Sequence, residues 1–135
     1  MYKSNKNEAI SRIDQAVELF LESAGQEVQG SAVEKAPVDQ GALHQSIESK
    51  VLMWGQASGQ TVVGTNLHYA IFQERGTGIY ALDGGRSTPW VYQNASGDFY
   101  YTRGVKPHRF MERAVKETKA PIKQLATHIF GQLAR

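Results

Sequence analysis

Residues 68–78, which read His-Tyr-Ala-Ile-Phe-Gln-Glu-Arg-Gly-Thr-Gly, separate two parts of the chain that differ in character. They follow a predicted strand at residues 61–65, and their apolar positions Ala70 and Phe72 predict a short helical turn with one apolar face. Gly76 predicts the end of this turn, because glycine tolerates the left-handed backbone angles that close helices. A long polar loop follows. We therefore expect a scaffold before this stretch and a surface for a partner after it.

The first part of the chain predicts one long amphipathic helix over residues 9–36. Asn5 is the expected cap at its start. Gly25 and Gly30 each lower helix stability by about 1 kcal/mol relative to alanine, and Ser31 could cap a second segment after a bend at Gly30. The apolar residues recur in steps of three and four and so form a single stripe. They are Ile10, Ile13, Val17, Phe20, Ala24, Val28 and Ala32.

Two short strands are expected after Pro37, which ends the helix. Asp39 is placed to cap a short helical turn that brings Leu43 onto the core. Residues 46–54 alternate in polarity, as in a strand with one buried face, and residues 61–65 return as the second strand of a hairpin. Gly64 in the return strand suggests a close approach by another backbone or side chain.

A second hairpin is predicted within residues 79–104, where two aromatic segments flank the turn-forming residues 94–98. Six of the chain's 13 aromatic residues lie here: Tyr80, Trp90, Tyr92, Phe99, Tyr100 and Tyr101. A two-stranded ribbon cannot bury that many rings on both faces by itself. Two interpretations remain open. Either the hairpin folds back and covers the core with one face, or its rings contact a neighbouring protein.

The last part of the chain predicts helices. One begins after Pro107 and carries Phe110, Ala114 and Thr118 on one side, and Pro121 should break or kink it before a final apolar segment. The expected fold class is therefore α+β. A long N-terminal helix and C-terminal helices pack on a small antiparallel sheet, a loop and a β-hairpin project from it, and residues 1–135 form a single domain.

Composition and motifs argue against several functions. The net charge of +2 is too balanced to indicate nucleic acid or an anionic membrane as the main partner. The chain has no cysteine, no stretch apolar enough for a membrane span and no apolar signal segment at its N-terminus. Asp39, His44 and Ser46 are close in sequence, but a catalytic triad converges from separate elements. The four histidines lack metal-ligand spacing. We expect no enzyme activity, no catalytic residue, no metal and no cofactor.

Five motifs, taken in order, resemble one family. They are Ala-Pro-Val-Asp-Gln-Gly-Ala-Leu-His-Gln-Ser-Ile at residues 36–47, Val-Gly-Thr at 63–65, Tyr-Ala at 69–70, Glu-Arg-Gly-Thr-Gly at 74–78 and Pro-His-Arg-Phe-Met-Glu-Arg-Ala at 107–114. Met111 stands where leucine is more usual. Together they resemble the HK97 gp10-like family of tailed bacteriophages, which are minor tail or tail-completion components of the neck between head and tail.

The resemblance implies a structural role in the virion, after assembly in the cytoplasm of the bacterial host. Similar proteins form rings at the head-proximal end of the tail and mediate head-tail joining. The implied partners are further copies of the chain, the tail-tube or tail-terminator protein, and head-closure or connector proteins. DNA would pass through the channel without sequence-specific binding, and no membrane is involved.

We predict that two segments supply the contacts with these partners, the stretch that ends at Gly78 and the second hairpin. The predicted interface residues are Tyr69, Phe72, Glu74, Arg75, Gly76, Thr77, Gly78, Arg86, Trp90, Tyr92, Tyr100, Tyr101 and Arg103. An alternative is a DNA-binding accessory protein that uses Arg75, Arg86 and Arg103, because residues 75–109 combine a local charge of +3 with aromatic rings.

Overall fold

The computed structural model describes residues 2–37 and 41–134, so the predicted cap Asp39 lies outside the described residues. Two long helices are α1 (Tyr2–Lys35) and α4 (Phe110–Gly131), and two short ones are α2 (Gly41–Ser46) and α3 (Ala70–Arg75). Antiparallel hairpins pair β1 (Glu48–Met53) with β2 (Gly59–Gly64), and β3 (Trp90–Gln93) with β4 (Phe99–Thr102). Short 3-10 turns lie at Gly78–Tyr80 and Gln132–Ala134. The predicted α+β class is confirmed.

Helices α1 and α4 pack side by side in opposite directions. The ring centroids of Phe20 and Phe130 are 5.4 Å apart, and further along the pair the Ser31 hydroxyl donates a hydrogen bond of 2.8 Å to the Glu117 carboxylate. Ala32 is completely buried in this region. Small side chains at the contact let two helices approach closely, which is how a narrow apolar stripe can hold such long helices together.

One hydrophobic core joins the helix pair to the short elements. Leu43, Ile47 and Phe110 are its largest fully buried side chains. Tyr69 and Val63 pack against it and are partly buried. The buried members of the cluster are Ala32, Ala36, Leu43, Ile47, Ala70, Phe110 and Ala114. The core positions predicted for Leu43 and for the stripe that starts at Phe110 are confirmed.

The first hairpin packs on α1 at a glycine. A Cβ atom on Gly25 would lie 2.5 Å from Thr61 Oγ1 and 3.2 Å from Ser49 Cβ, so only glycine lets the strands come this close to the helix. Beside it, Ser49 Oγ donates to Gln29 Oε1 at 2.8 Å. The predicted alternation along β1 is confirmed. The prediction for Gly64 is wrong, because a Cβ atom there would meet nothing within 4 Å.

Two predicted boundaries of the N-terminal helix are wrong. Helix α1 already begins at Tyr2, so Asn5 lies inside the helix and does not cap it. The helix also continues through Gly30 to Lys35 without a new start at Ser31. Gly30 faces open space, while Ala24 and Ala32 on either side are buried. Packing on both sides of the glycine outweighs its cost of about 1 kcal/mol.

Of the break or kink expected at Pro121, the break is absent, because α4 is one helix with the proline inside it. A proline removes one backbone hydrogen bond and crowds the preceding turn. Thr118 before it and Ile129 after it are both buried, so the two halves remain anchored by packing. One C-terminal helix and a short 3-10 turn therefore replace the predicted pair of helices.

Candidate partner interface

Two segments that are far apart in sequence run antiparallel and form what we call the clasp, residues 73–79 and 103–109. The backbone N–H of Thr77 donates to Val105 O at 2.8 Å, and that of Ile79 donates to Arg103 O at 3.0 Å. At the other end, the His108 N–H donates to the Gln73 carbonyl at 2.7 Å. The clasp connects α3 to the start of α4 and holds the base of the β3–β4 hairpin.

The glycines of the Gly-Thr-Gly motif make the clasp possible. Gly76 has φ 79° and Gly78 has φ 64°, values that residues with side chains rarely adopt. A Cβ atom on Gly76 would lie 2.8 Å from the Val105 carbonyl oxygen, and one on Gly78 would lie 2.6 Å from the ring of Trp90. Thr77 between them accepts a hydrogen bond of 2.9 Å from the Val105 N–H through its hydroxyl. These three predicted interface residues thus shape the subunit itself.

Glu74 and Arg75 also have partners within the subunit. The Glu74 carboxylate accepts hydrogen bonds from the backbone N–H groups of Met111 at 2.9 Å and Glu112 at 3.0 Å. The Arg75 guanidinium binds both oxygens of Asp83, with 2.5 Å from Nε to Oδ2. Hydrogen bonding to Arg75 lowers the pKa of Asp83 below its ordinary value, and the same bond raises the pKa of Arg75. This ion pair links the loop after α3 to the end of that helix.

The β3–β4 hairpin has two different faces. Strand alternation puts Trp90, Tyr92, Tyr100 and Thr102 on one side, which we call the inner face, and puts Val91, Phe99 and Tyr101, with Gln93, on the other. On the inner face Trp90 is half-buried against Gly78, and the rings of Tyr92 and Tyr100, which are 46% and 47% exposed, stack with 5.7 Å between centroids.

The three apolar side chains Val91, Phe99 and Tyr101 form the outer face. They are 59%, 72% and 67% exposed, respectively. Within the described residues, the core cluster and the side chains packed against it include none from the hairpin. The outer face therefore presents apolar surface to solvent instead of covering the core.

Two further predicted interface residues differ in exposure. Tyr69 is partly buried against the core, whereas Phe72 on α3 is 53% exposed beside the equally exposed Ile71. The list of predicted interface residues does not name Val91 and Phe99, although both lie in the hairpin that is predicted to supply contacts. The register of the hairpin would have found them, because residues paired across the strands share a face and Val91 pairs with Tyr101.

Basic side chains at the hairpin base rest on aromatic rings. Arg86 lies over the Trp90 ring at 4.7 Å from its centroid, and Lys106 lies over Tyr80 at 5.6 Å. Hydrogen bonding to Tyr101, and more weakly the neighbouring Tyr80, raises the pKa of Arg103. Among the side chains that the structure describes, the ion pairs do not include Arg86, Arg103 or Lys106.

The residues that resemble catalytic groups bond to the backbone. His44 Nε2 lies 3.1 Å from the Ala36 carbonyl oxygen, and Ser46 Oγ donates to the Leu43 carbonyl at 2.8 Å.

Over residues 2–37 and 41–134, no three His, Asp or Glu side chains are grouped so that they could hold a metal ion. No helix in the same ranges is both long and apolar enough to cross a membrane.

Comparison with known proteins identifies the family. Residues 3–76 match the sequence model of a family described as "Bacteriophage HK97-gp10, putative tail-component". The matched range contains α1, the first hairpin and α3, ends at Gly76 and leaves out the resembling motif at residues 107–114. No curated protein and no solved structure matches the chain. Because the match covers more than half of the sequence, the chain belongs to the HK97-gp10-like family of bacteriophage tail components.

Proposed function

We propose that this chain is a structural, non-enzymatic protein of the phage neck. In this proposal it assembles as a ring at the head-proximal end of the tail and mediates head-tail joining, and DNA passes through the ring without sequence-specific contacts. One observation carries the proposal, namely the outer face of Val91, Phe99 and Tyr101 on a hairpin that the clasp holds away from the core.

The exposed outer face is costly unless it is covered in an assembly. Burying one large apolar side chain contributes about 1.5–3 kcal/mol, and an isolated two-stranded hairpin is marginally stable in water. Contiguous exposed apolar patches on soluble proteins mark interaction sites, and tyrosine beside arginine is enriched at their centres. A partner that covers the outer face would stabilise the hairpin and gain binding energy from the same contacts.

A ring follows if the outer face of one copy meets a different patch on the next. Such a heterologous contact generates a closed ring when the rotation between copies returns to its start. The proposed neighbours are the tail-tube or tail-terminator protein on one side and head-closure or connector proteins on the other. The protein would then reside in the virion after assembly in the host cytoplasm.

The test compares the outer face with an exposed aromatic residue elsewhere. We expect the wild type to form oligomers, alone or with purified tail-tube protein, when its mass is measured by sedimentation velocity. Phe99→Ala combined with Tyr101→Ala should abolish them and leave the far-ultraviolet circular dichroism unchanged. Trp54→Ala is the control, because Trp54 is 57% exposed but lies at the end of the first hairpin. A double variant that assembles like the wild type would refute the proposal.

Trp90 is a less informative position for this test. The sequence predicts that Trp90→Ala, like Tyr101→Ala, weakens assembly and leaves the monomer folded. The Trp90 ring packs on Gly78 and supports Arg86, so its removal would also disturb the clasp. Tyr101 is 67% exposed and avoids that complication.

The DNA-binding alternative is supported by Arg86, Arg103 and Lys106, which belong to none of the ion pairs among the described side chains, whereas Arg75 is paired with Asp83. Phosphate binding releases counterions, so affinity should fall steeply with salt. Fluorescence anisotropy with labelled duplex DNA tests this. Retention of DNA at physiological salt without any assembly partner would favour the alternative over the neck role.

A further inference from the structure

Basic side chains border the apolar outer face of the hairpin. Arg103 is exposed and follows Tyr101 by two residues, so strand alternation continues the side of the outer face to it. Its carbonyl oxygen accepts from the N–H of Ile79, the neighbour of Tyr80, and Lys106 lies over the Tyr80 ring. The outer face and this rim of Tyr80, Arg103 and Lys106 therefore form one continuous surface. Its centre is apolar and its edge is basic.

A surface of complementary character lies on α1. Residues 13–34 contain five acidic residues and no lysine or arginine. Glu18 and Glu22 lie one turn apart on the exposed side of the helix, and Leu19 beside them is 52% exposed. Neither glutamate belongs to an ion pair among the described side chains. This α1 patch, Glu18, Leu19 and Glu22, has an apolar centre with an acidic edge, and the exposed Lys50 of β1 borders the same surface groove as the two glutamates.

We infer that the outer face of one copy docks on the α1 patch of a second copy, an inference that rests on the proposed ring. The apolar centres would meet, with Phe99 and Tyr101 against Leu19. Arg103 and Lys106 would face Glu18 and Glu22, so that each unpaired charge gains an opposite partner.

Charge excludes the symmetric alternatives. Two outer faces in contact would bring Arg103 and Lys106 of both copies together, and two α1 patches in contact would oppose four carboxylates. Like charges at an interface cost several kcal/mol. The favoured contact joins two different patches, so each copy offers one of each, which is what an assembly that propagates around a ring requires.

Charge exchange between the two patches tests the contact. One variant carries Glu18→Lys and Glu22→Lys, and the other carries Arg103→Glu and Lys106→Glu. Each variant alone presents two patches of the same sign and should self-associate at least about tenfold more weakly than the wild type. An equimolar mixture should associate more strongly than either variant alone, because contacts between the two variants join opposite charges. Sedimentation velocity measures all four samples at one ionic strength, with tail-tube protein present if the wild type needs it.

The double variant Lys119→Glu with Lys123→Glu is the matched control, because both lysines are exposed on α4, which carries neither patch, and the variant makes the same change in net charge as the hairpin variant. It should leave assembly unchanged. Circular dichroism and urea unfolding check that each variant is folded. As a second readout, the chain contains no cysteine, so Leu19→Cys and Phe99→Cys place single thiols on the two patches. Oxidation should cross-link a mixture of the two and neither variant alone.

The outcomes separate this contact from the ring itself. A wild type that remains monomeric with and without tail-tube protein refutes both. If the wild type assembles while the reversed variants assemble equally well, or if the mixture associates no more strongly than either variant alone, the contact is wrong and the ring proposal stands. The contact is also refuted if the hairpin variant loses binding to tail-tube protein and the α1 variant does not, because the outer face would then bind that protein.

Discussion

The carboxylate of Glu74 accepts a hydrogen bond of 2.9 Å from the backbone N–H of Met111, although the two residues are 37 positions apart. The second carboxylate oxygen accepts from the Glu112 N–H. The first N–H groups of a helix have no partner within it, and a negative charge near this end interacts favourably with the positive end of the helix dipole. Glu74, from another element, therefore caps α4 and couples the end of α3 to it.

Removing this cap should destabilise the fold measurably. We expect Glu74→Ala to lower the free energy of unfolding by about 1–2 kcal/mol, because two backbone donors lose their acceptor. Urea unfolding followed by circular dichroism measures the change. Glu48→Ala on the exposed side of β1 removes the same charge and should cost less than about 0.5 kcal/mol. Equal losses in the two variants would contradict the capping role.

The close contact between Gly78 and Trp90 gives a second prediction. Gly78→Ala should cost about 2–3 kcal/mol, because the new methyl adds clashes with the Arg103 carbonyl oxygen and the Trp90 ring to the strain of positive φ. Gly84→Ala is the matched control, since Gly84 has φ 81° but open space around it, and should cost only about 1 kcal/mol. In a Trp54→Phe background, Trp90 fluorescence should shift with Gly78→Ala alone. If both variants behave alike, the clasp does not depend on this contact.

The elements that could be predicted from the sequence are those with a local cause. The alternation along β1 and the stop at Gly76 are set by neighbours in the chain, and both are confirmed. The errors at Gly30 and Pro121 have a different origin. Local propensity disfavours a helix at both positions, yet the packing between α1 and α4 outweighs it, and that packing joins residues about 90 positions apart.

Only part of the candidate site could be predicted from the sequence. An aromatic hairpin could be located from its turn residues, but which rings face outward depends on the register of β3 and β4. The roles of Glu74 and Gly78 within the subunit depend on the clasp, whose two segments are separated in sequence by residues 80–102. Glycines and a glutamate that suggest a partner surface can equally be required by the subunit's own packing.

Strain in the first hairpin turn leads to a third prediction. Ala57 has φ 51°, in the left-handed region that costs an alanine about 1–2 kcal/mol. Ala57→Gly should therefore raise the free energy of unfolding by about 0.5–1 kcal/mol after the greater entropy of unfolded glycine is subtracted. Ala95→Gly, in the exposed turn of the second hairpin and without positive φ, should lower it slightly. The prediction fails if urea unfolding ranks the two variants in the opposite order.

The environment of His108 makes stability depend on pH. Partial burial, followed by the nearby charge of Arg113, lowers the pKa of His108 below its ordinary value of 6.5, and the opposing effect of Glu74 is smaller. The Arg113 guanidinium lies 3.1 Å from His108 Nδ1, so the neutral ring accepts a hydrogen bond that the protonated ring cannot. Between the two pKa values the unfolded chain binds more protons than the folded one.

Stability should consequently fall as pH is lowered from about 7 through 6.5 toward the reduced folded pKa, and level off below it. His108→Gln should flatten this slope, because the residue that takes up the proton on unfolding is gone. The measurement is the midpoint of urea unfolding at steps of pH across this range. His68→Gln, at an exposed position, provides the control and should keep the wild-type slope. A slope that survives His108→Gln would show that another group takes up the proton.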